Sequence, residues 1–491
     1  MTAPEKPGGC PTSRTTSPSA PARVTAVVGL LVAFELVSGL LQGAAPPLIP
    51  EVEKWQHLST AQAQWFTTAQ FLAAAVSVPA FGRLGDLYGH RRLVRVALGC
   101  VAVGTVLVAL APNLPVLLLG RALMGPLAAL LPLEIGLVRD RLDVDGGRRA
   151  VGLLVGALTL GSLLGHVLVG PVLSAVGGLR PTLAVLAALA VGCLVVSFLA
   201  IPESATRATG RMDWAGAVLL AVALVTLLGT ISRGTAWGWL SPRTLAAVAL
   251  SCALLWWWTR VQLARPHALV DLRAVARRRA APHYASGFVL GAVMMGGQGV
   301  AVSFLAASPG DEGYGFGLAT WQISVWGAIP HVMAFLGSVL CAGIAARIGY
   351  ARTLLGAFAL IAVGNAGLMA GHSALPLFVG AYGAVGIGMG LALGGLPSVV
   401  VEGSASDRTA SAAAVYNNLK TLGGSVAGAV FAAVLGTLVV GTTDTPALTA
   451  YLTVWGIGLG LSVLAAGAQL LARSSTGRRA GTLAEARSAP S

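Results

Sequence analysis

The chain has 491 residues, of which 56% are apolar and only 10% are Asp, Glu, Lys or Arg, with a mean hydropathy of +0.80. About a quarter of a soluble domain is charged, so there is too little polar material here to cover a water-facing surface. That excludes a soluble enzyme, a nucleic-acid-binding protein and a disordered regulator.

Bilayer-crossing helices need about 20 mainly apolar residues. Such runs occur at 24–46, 62–82, 93–111, 115–138, 150–172 and 181–201, then at 213–233 and 243–263, and finally at 283–306, 321–345, 351–371, 375–400, 410–438 and 449–472. The first run is too long for a signal peptide and carries Glu35 at its centre. The reading is therefore an all-α polytopic membrane protein with fourteen spans grouped as six, two and six. Its expected units are a disordered N-tail (1–23), a six-helix bundle (24–205), a two-helix central insertion (206–280), a second six-helix bundle (281–473) and a disordered C-tail (474–491).

The net charge of +14 takes its meaning from this topology. Of 32 Lys and Arg, 26 fall in the tails and loops on the side of the termini, while Lys54, Arg180, Arg233 and Arg243 fall on the other. Such a bias orients helices with the basic side toward the cytoplasm, so both termini are expected there. The 64 glycines follow no period and suit close helix packing. The five cysteines, Cys10, Cys100, Cys193, Cys252 and Cys341, show no metal-ligand spacing.

Three stretches carry more than composition. The loop Gly82-Arg-Leu-Gly-Asp-Leu-Tyr-Gly-His-Arg-Arg92 has a weaker echo in Ala342–Arg352, as expected of two halves that rock about a central site. Gly152, Gly161, Gly165, His166 and Gly170 form a stripe in span 5. Gly210–Ala217 and Trp237-Gly-Trp239 flank the insertion, and Ala410–Ser425 opens span 13.

On these residues the chain resembles the major facilitator superfamily, and within it the fourteen-span drug:proton antiporters. The loop 82–92 matches the signature G-x-L-A-D-x-x-G-R-[KR]-[KR], with Gly85 for Ala and His90 for Arg. The resemblance implies that Gly82, Gly85, Asp86, Gly89, Arg91 and Arg92 latch the two halves together at the cytoplasmic face. The span-5 stripe matches the antiporter motif, which normally ends Gly-Pro-x-x-Gly-Gly, so His166 and Val169 are departures. In exporters that stripe bends span 5 and seals an outward leak.

Ionisable groups inside the membrane each need a reason, since a charge at mid-depth costs several kcal/mol. Glu35 lies where the family carries an acid in span 1, and is expected to couple transport to protons. Arg121, in Leu119-Gly-Arg-Ala-Leu-Met-Gly125, matches the span-4 motif and is expected to act as a fixed positive charge beside Glu35. Glu134 is read as a structural or gating partner of Arg139 or Arg141. Lys420 is open between an anionic substrate and an acidic partner. His166 and His331 are readable as proton relays or as hydrogen-bonded core histidines. Gln42, Gln70, His331, Asn417, Glu134 and Lys420 are candidates for the substrate cavity. Trp256-Trp-Trp258 reads as an interfacial anchor.

The expected function is proton-coupled export of small hydrophobic or cationic compounds by alternating access. Rival readings are an importer or facilitator of a metabolite on the same fold, and a sensor that has lost transport. No Walker loop or catalytic constellation occurs, so neither enzyme activity, ATP nor a cofactor or metal is expected. The expected partners are a drug-like small molecule, protons and the plasma-membrane bilayer, with no nucleic acid, and the chain is expected to act as a monomer.

Overall fold

Apolar runs of this length in lipid must satisfy every backbone group internally, and helices are the solution available to them. The computed structural model describes residues 20–139, 144–200, 212–265, 272–275, 280–402, 409–441 and 444–488. Among these, the chain is helical almost throughout, with one isolated bridge between Val439 and Pro446.

The first half comprises α1 (Ala20–Gly43), α2 (Ile49–Gln56), α3 (Thr60–Ala63), α4 (Trp65–Tyr88), α5 (His90–Leu110), α6 (Leu114–Leu123), α7 (Leu130–Arg139), α8 (Val144–Ala175) and α9 (Leu179–Ala200). The insertion is α10 (Trp214–Trp237) and α11 (Pro242–Ala264), followed by the short α12 (Leu272–Val275). The second half comprises α13 (Ala281–Gly291), α14 (Gly297–Ala306), α15 (Pro309–Glu312), α16 (Thr320–Trp326), α17 (Ile329–Ile348), α18 (Tyr350–Ala370), α19 (Leu375–Glu402), α20 (Thr409–Thr437) and α21 (Leu448–Ser488).

Thirteen helical stretches are long and apolar enough to cross a bilayer, against fourteen expected. The missing one, over 62–82, is α4, a 24-residue helix whose Thr67, Thr68 and Gln70 dilute its hydropathy. All three are buried, because α4 packs against α20 of the other half. Span 4 is not one helix either. Gly125-Pro126 interrupts it with a 3-10 turn between α6 and α7, since proline offers no N–H to the preceding turn. The expected disordered tail from 474 also differs, for α21 continues as helix through Ser488. Its Ala, Arg, Leu and Glu residues favour continuation of the helix already nucleated by the membrane span. The expected N-tail lies outside the described residues up to position 19, and α1 begins at Ala20.

There are two apolar cores, one built on α1 to α9 and one on α13 to α21 that also takes in Ala75 of α4 and Leu220, Leu224 and Trp258 of the insertion. The echo between the loops is visible in the backbone. Gly89 joins α4 to α5 with φ 101° and donates to the Gly85 carbonyl at 2.9 Å. Gly349 joins α17 to α18 with φ 83° and donates to the Ala345 carbonyl at 2.8 Å. Both turns need a conformation that only glycine adopts freely.

The end of the molecule carrying these two turns is termed proximal and the opposite end distal. The halves meet distally. Gln64 donates to Ser303 Oγ at 3.1 Å and Thr320 to Glu51 Oε1 at 2.6 Å, while Gly428 abuts Thr68, and Gly170 abuts Trp321 and Ser324. Burial along α20 tells the same story. One stripe carries Ala413, Asn417 and Lys420, all half-buried, then Gly424, Phe431 and Leu435, all buried. The space between the halves is thus sealed distally and widens proximally.

The insertion is held by one residue. Asp213 caps α10 by accepting from Gly216 N–H at 2.9 Å, accepts from Gln262 at 2.8 Å and pairs with Arg265 at the end of α11. Trp258 adds an indole N–H to the Gly216 carbonyl at 3.0 Å. Only Trp256 and Trp257 face outward as the sequence implied, while Trp258 is buried in this joint. Gly210 and Arg211 of the entry motif lie outside the described residues.

Candidate functional site

The break in span 4 sends its two charged residues in different directions. Arg121, at the end of α6, turns toward α4, where its Nε donates to the Phe66 carbonyl at 2.6 Å and its guanidinium stacks 4.3 Å from the Phe66 ring centroid. Arg121 and Phe66 line a narrow cavity with Leu41, Leu48, Met124 and Leu183. Glu134, on α7 beyond the break, turns toward α1 and meets Glu35.

This corrects the expected pairing of Glu35 with Arg121. Glu35 is not paired with Arg121, which spends its charge on a carbonyl and an aromatic face. Among the described residues Glu134 has no basic partner and meets the carboxyl of Glu35; its expected partners, the Arg139 side chain and Arg141, lie outside the described residues. Glu35 is 1% exposed and Glu134 0%, and no other donor reaches either carboxyl. Two carboxylates so placed repel one another with no compensation. A single proton held between them removes one charge and supplies the missing hydrogen-bond donor.

His166 and His331 also come together. Their rings lie 4.6 Å apart, one from α8 and one from α17, so that they meet across the distal seam between the halves. His331 Nδ1 lies 3.1 Å from the Gly327 carbonyl, and His166 faces the Gly43 backbone. Gly327 leaves room for the His166 ring. α8 is continuous through His166, and its proline comes later, at Pro171. The glycines before it serve packing: Gly161 and Gly165 bring α8 onto the Leu36 and Leu40 carbonyls of α1, whereas Gly152 faces open space.

The remaining candidates are dispersed. In the proximal loop Asp86 contacts His90 Nε2 at 3.3 Å. Gly85 makes room for Leu133 and His90, Gly82 faces open space, and Arg92 is exposed beside Arg91 at the start of α5. Gln42 donates to Ser38 on its own helix at 3.3 Å, and Gln70 is buried on α4. Asn417 and Lys420 stand on the half-buried stripe of α20, and the contact recorded for the Lys420 ammonium is the Tyr416 ring, 5.9 Å from its centroid. Sequence reading missed an aromatic cluster in the second half, where Phe304 packs on Tyr314, Phe316, Phe378, Tyr451 and Trp455. Its members are spread over three helices and one loop, so no local pattern announces it.

Two helical halves related by similar turns, closed at one end and enclosing buried charges, define a secondary transporter. The family model of the Major Facilitator Superfamily matches residues 31–428, and the chain belongs to that superfamily. It is a multi-pass membrane transporter, not an enzyme.

Among curated relatives it is 26% identical to the probable actinorhodin transporter of Streptomyces coelicolor, over 88% of this chain and 75% of that one. It is 29% identical to the uridine/deoxyuridine transporter of Lactococcus lactis, over 67% of this chain and 70% of that one. The match to the tetracenomycin C resistance and export protein of Streptomyces glaucescens, also 29% identical, spans 41% of this chain and only 37% of the relative's length. Solved structures of the same fold include the nucleoside transporter NupG, with TM-score 0.63 and 14% identity over 91% of this chain and 98% of that one. The xylose transporter XylE from E. coli gives 0.59 and 12% over 91% and 96%.

Proposed function

We propose that the chain is a proton-coupled exporter of small, largely apolar drug-like compounds, working by alternating access with its basic, proximal face in the cytoplasm. The Glu35–Glu134 pair carries this reading. A carboxyl pair without donors is stable when it holds a proton and unstable when it does not, so protonation and the packing of α1 against α7 are linked. The relatives named as antibiotic transporters or multidrug resistance proteins support the cargo class and direction. The relative named as a nucleoside transporter keeps the metabolite importer as the competing reading.

The test is susceptibility profiling of a drug-hypersensitive host expressing the chain, with and without a protonophore, beside Glu35→Gln and Glu134→Gln. Protection against at least one compound is expected, abolished by the protonophore. Each variant should keep the protein in the membrane and lose proton-driven export, by about tenfold or more. Full export by either variant would defeat the role given to the pair, and protection against nothing would defeat export itself.

A further inference from the structure

The sequence leaves Lys420 open between a substrate and an acidic partner. Residues Ala413, Asn417 and Lys420 form the half-buried stripe of α20, on the proximal side of its buried part. Among the described residues no carboxylate, carbonyl or hydroxyl engages the Lys420 ammonium, which lies over the Tyr416 ring. The Tyr416 hydroxyl is itself buried without a hydrogen-bond partner. A half-buried ammonium without a counter-charge thus stands beside a buried hydroxyl without a partner, a place that an acceptor would suit.

The backbone holds them rigidly. Gly291 brings α13 onto the Lys420 carbonyl, and Gly287 seats the Tyr416 ring. Directly beyond Gly291, residues Ala292–Gly296 form a π turn against α20, an irregularity that recurs at functional sites. It brings Met295 against Gly424, one turn from Lys420, and a thioether adapts readily to flat apolar bodies.

Resting on the exporter reading, we infer that Lys420 and Tyr416 form the charge-recognising subsite of the transport cavity, and that the cargo is an apolar, ring-bearing monoanion. Its carboxylate accepts from Lys420 Nζ and from Tyr416 Oη–H, and its body lies along Ala413 and Met295. A single cation on a wall otherwise neutral at Ala413, Asn417 and Met295 suits a monoanion and not a polyphosphate. This cargo departs from the hydrophobic or cationic compounds that the sequence led one to expect.

The full chain in lipid nanodiscs is titrated with three anthraquinones of matched size, a carboxylate, its carboxamide and an aminomethyl cation, reading quenching of tryptophan fluorescence. The carboxylate is expected to bind about tenfold or more tighter than the cation, as a charge-assisted hydrogen bond allows. Lys420→Met should remove that preference while carboxamide binding stays within about twofold, Lys420→Arg should retain it, and Tyr416→Phe should reduce it in part. Overturning results are a cation that binds as well as the carboxylate, a preference that survives Lys420→Met, or loss of carboxamide binding in that variant, which marks a structural role. Binding of the cation together with intact drug protection sinks only this subsite; binding of none of the three without protection sinks the exporter reading as well.

Discussion

Whether a glycine in the α8 stripe matters depends on what a methyl group at its Cα would meet. At Gly161 and Gly165 it would meet carbonyls of α1, which cannot move without the helix, and at Gly152 it would meet nothing. Gly161→Ala is therefore expected to lower the stability of the detergent-solubilised protein by about 1–3 kcal/mol. Gly152→Ala should leave it unchanged or raise it by up to about 1 kcal/mol, since alanine is the better helix former. Thermal unfolding of the two variants checks this, and equal losses would show that the stripe is not a packing device. The spacing of these glycines was legible in the sequence; their partners were not. The same holds for the buried charges. Glu35, Glu134, His166 and His331 each stood out as polar residues in apolar runs, but a one-dimensional pattern cannot say that acid faces acid and imidazole faces imidazole. Arg121 was assigned to Glu35 on charge alone, and a carbonyl left available on the neighbouring helix proved the stronger claimant.

At the scale of elements, the long apolar runs predicted most helices to within a few residues. The failures have local causes. Gly125-Pro126 announces a break in span 4 to anyone weighing proline against hydropathy, whereas the π turn at Ala292–Gly296 has no sequence mark of its own and arises from packing against α20. The insertion shows how much can hang on one short motif. Asp213 serves as cap, as acceptor for Gln262 and as counter-charge for Arg265 at once. Asp213→Ala should cost about 2–3 kcal/mol, the sum expected for charged hydrogen bonds in a largely dry joint. The decisive reading is faster proteolysis or hydrogen exchange confined to the loops flanking α10 and α11. A loss spread evenly over the molecule would contradict a joint that serves the insertion alone.

At the scale of the whole molecule, the six, two and six grouping and the paired loops foretold two halves, but nothing in the sequence could foretell which end is closed. The answer lies in burial along single helices, with the α20 stripe half-open at Ala413 and shut at Phe431 and Leu435. In a background lacking native cysteines, Ala413→Cys should react with a bulky, membrane-impermeant maleimide added from the cytoplasmic face. Leu435→Cys should stay unreactive from either face until cargo and a proton gradient drive the cycle. Labelling at 435 in the resting protein would mean that the distal seal is open in the membrane.

The position of α10 has a consequence of its own. This helix belongs to neither half, yet it packs against α4 of one and α20 of the other. Two bodies that rock relative to each other cannot both keep a shared neighbour, so every cycle must peel α10 from one of them and let acyl chains fill the gap. The speed of transport then becomes a property of the solvent as well as of the protein. Bilayers whose chains fill that gap easily should turn the transporter over faster, with no change in how tightly cargo is held.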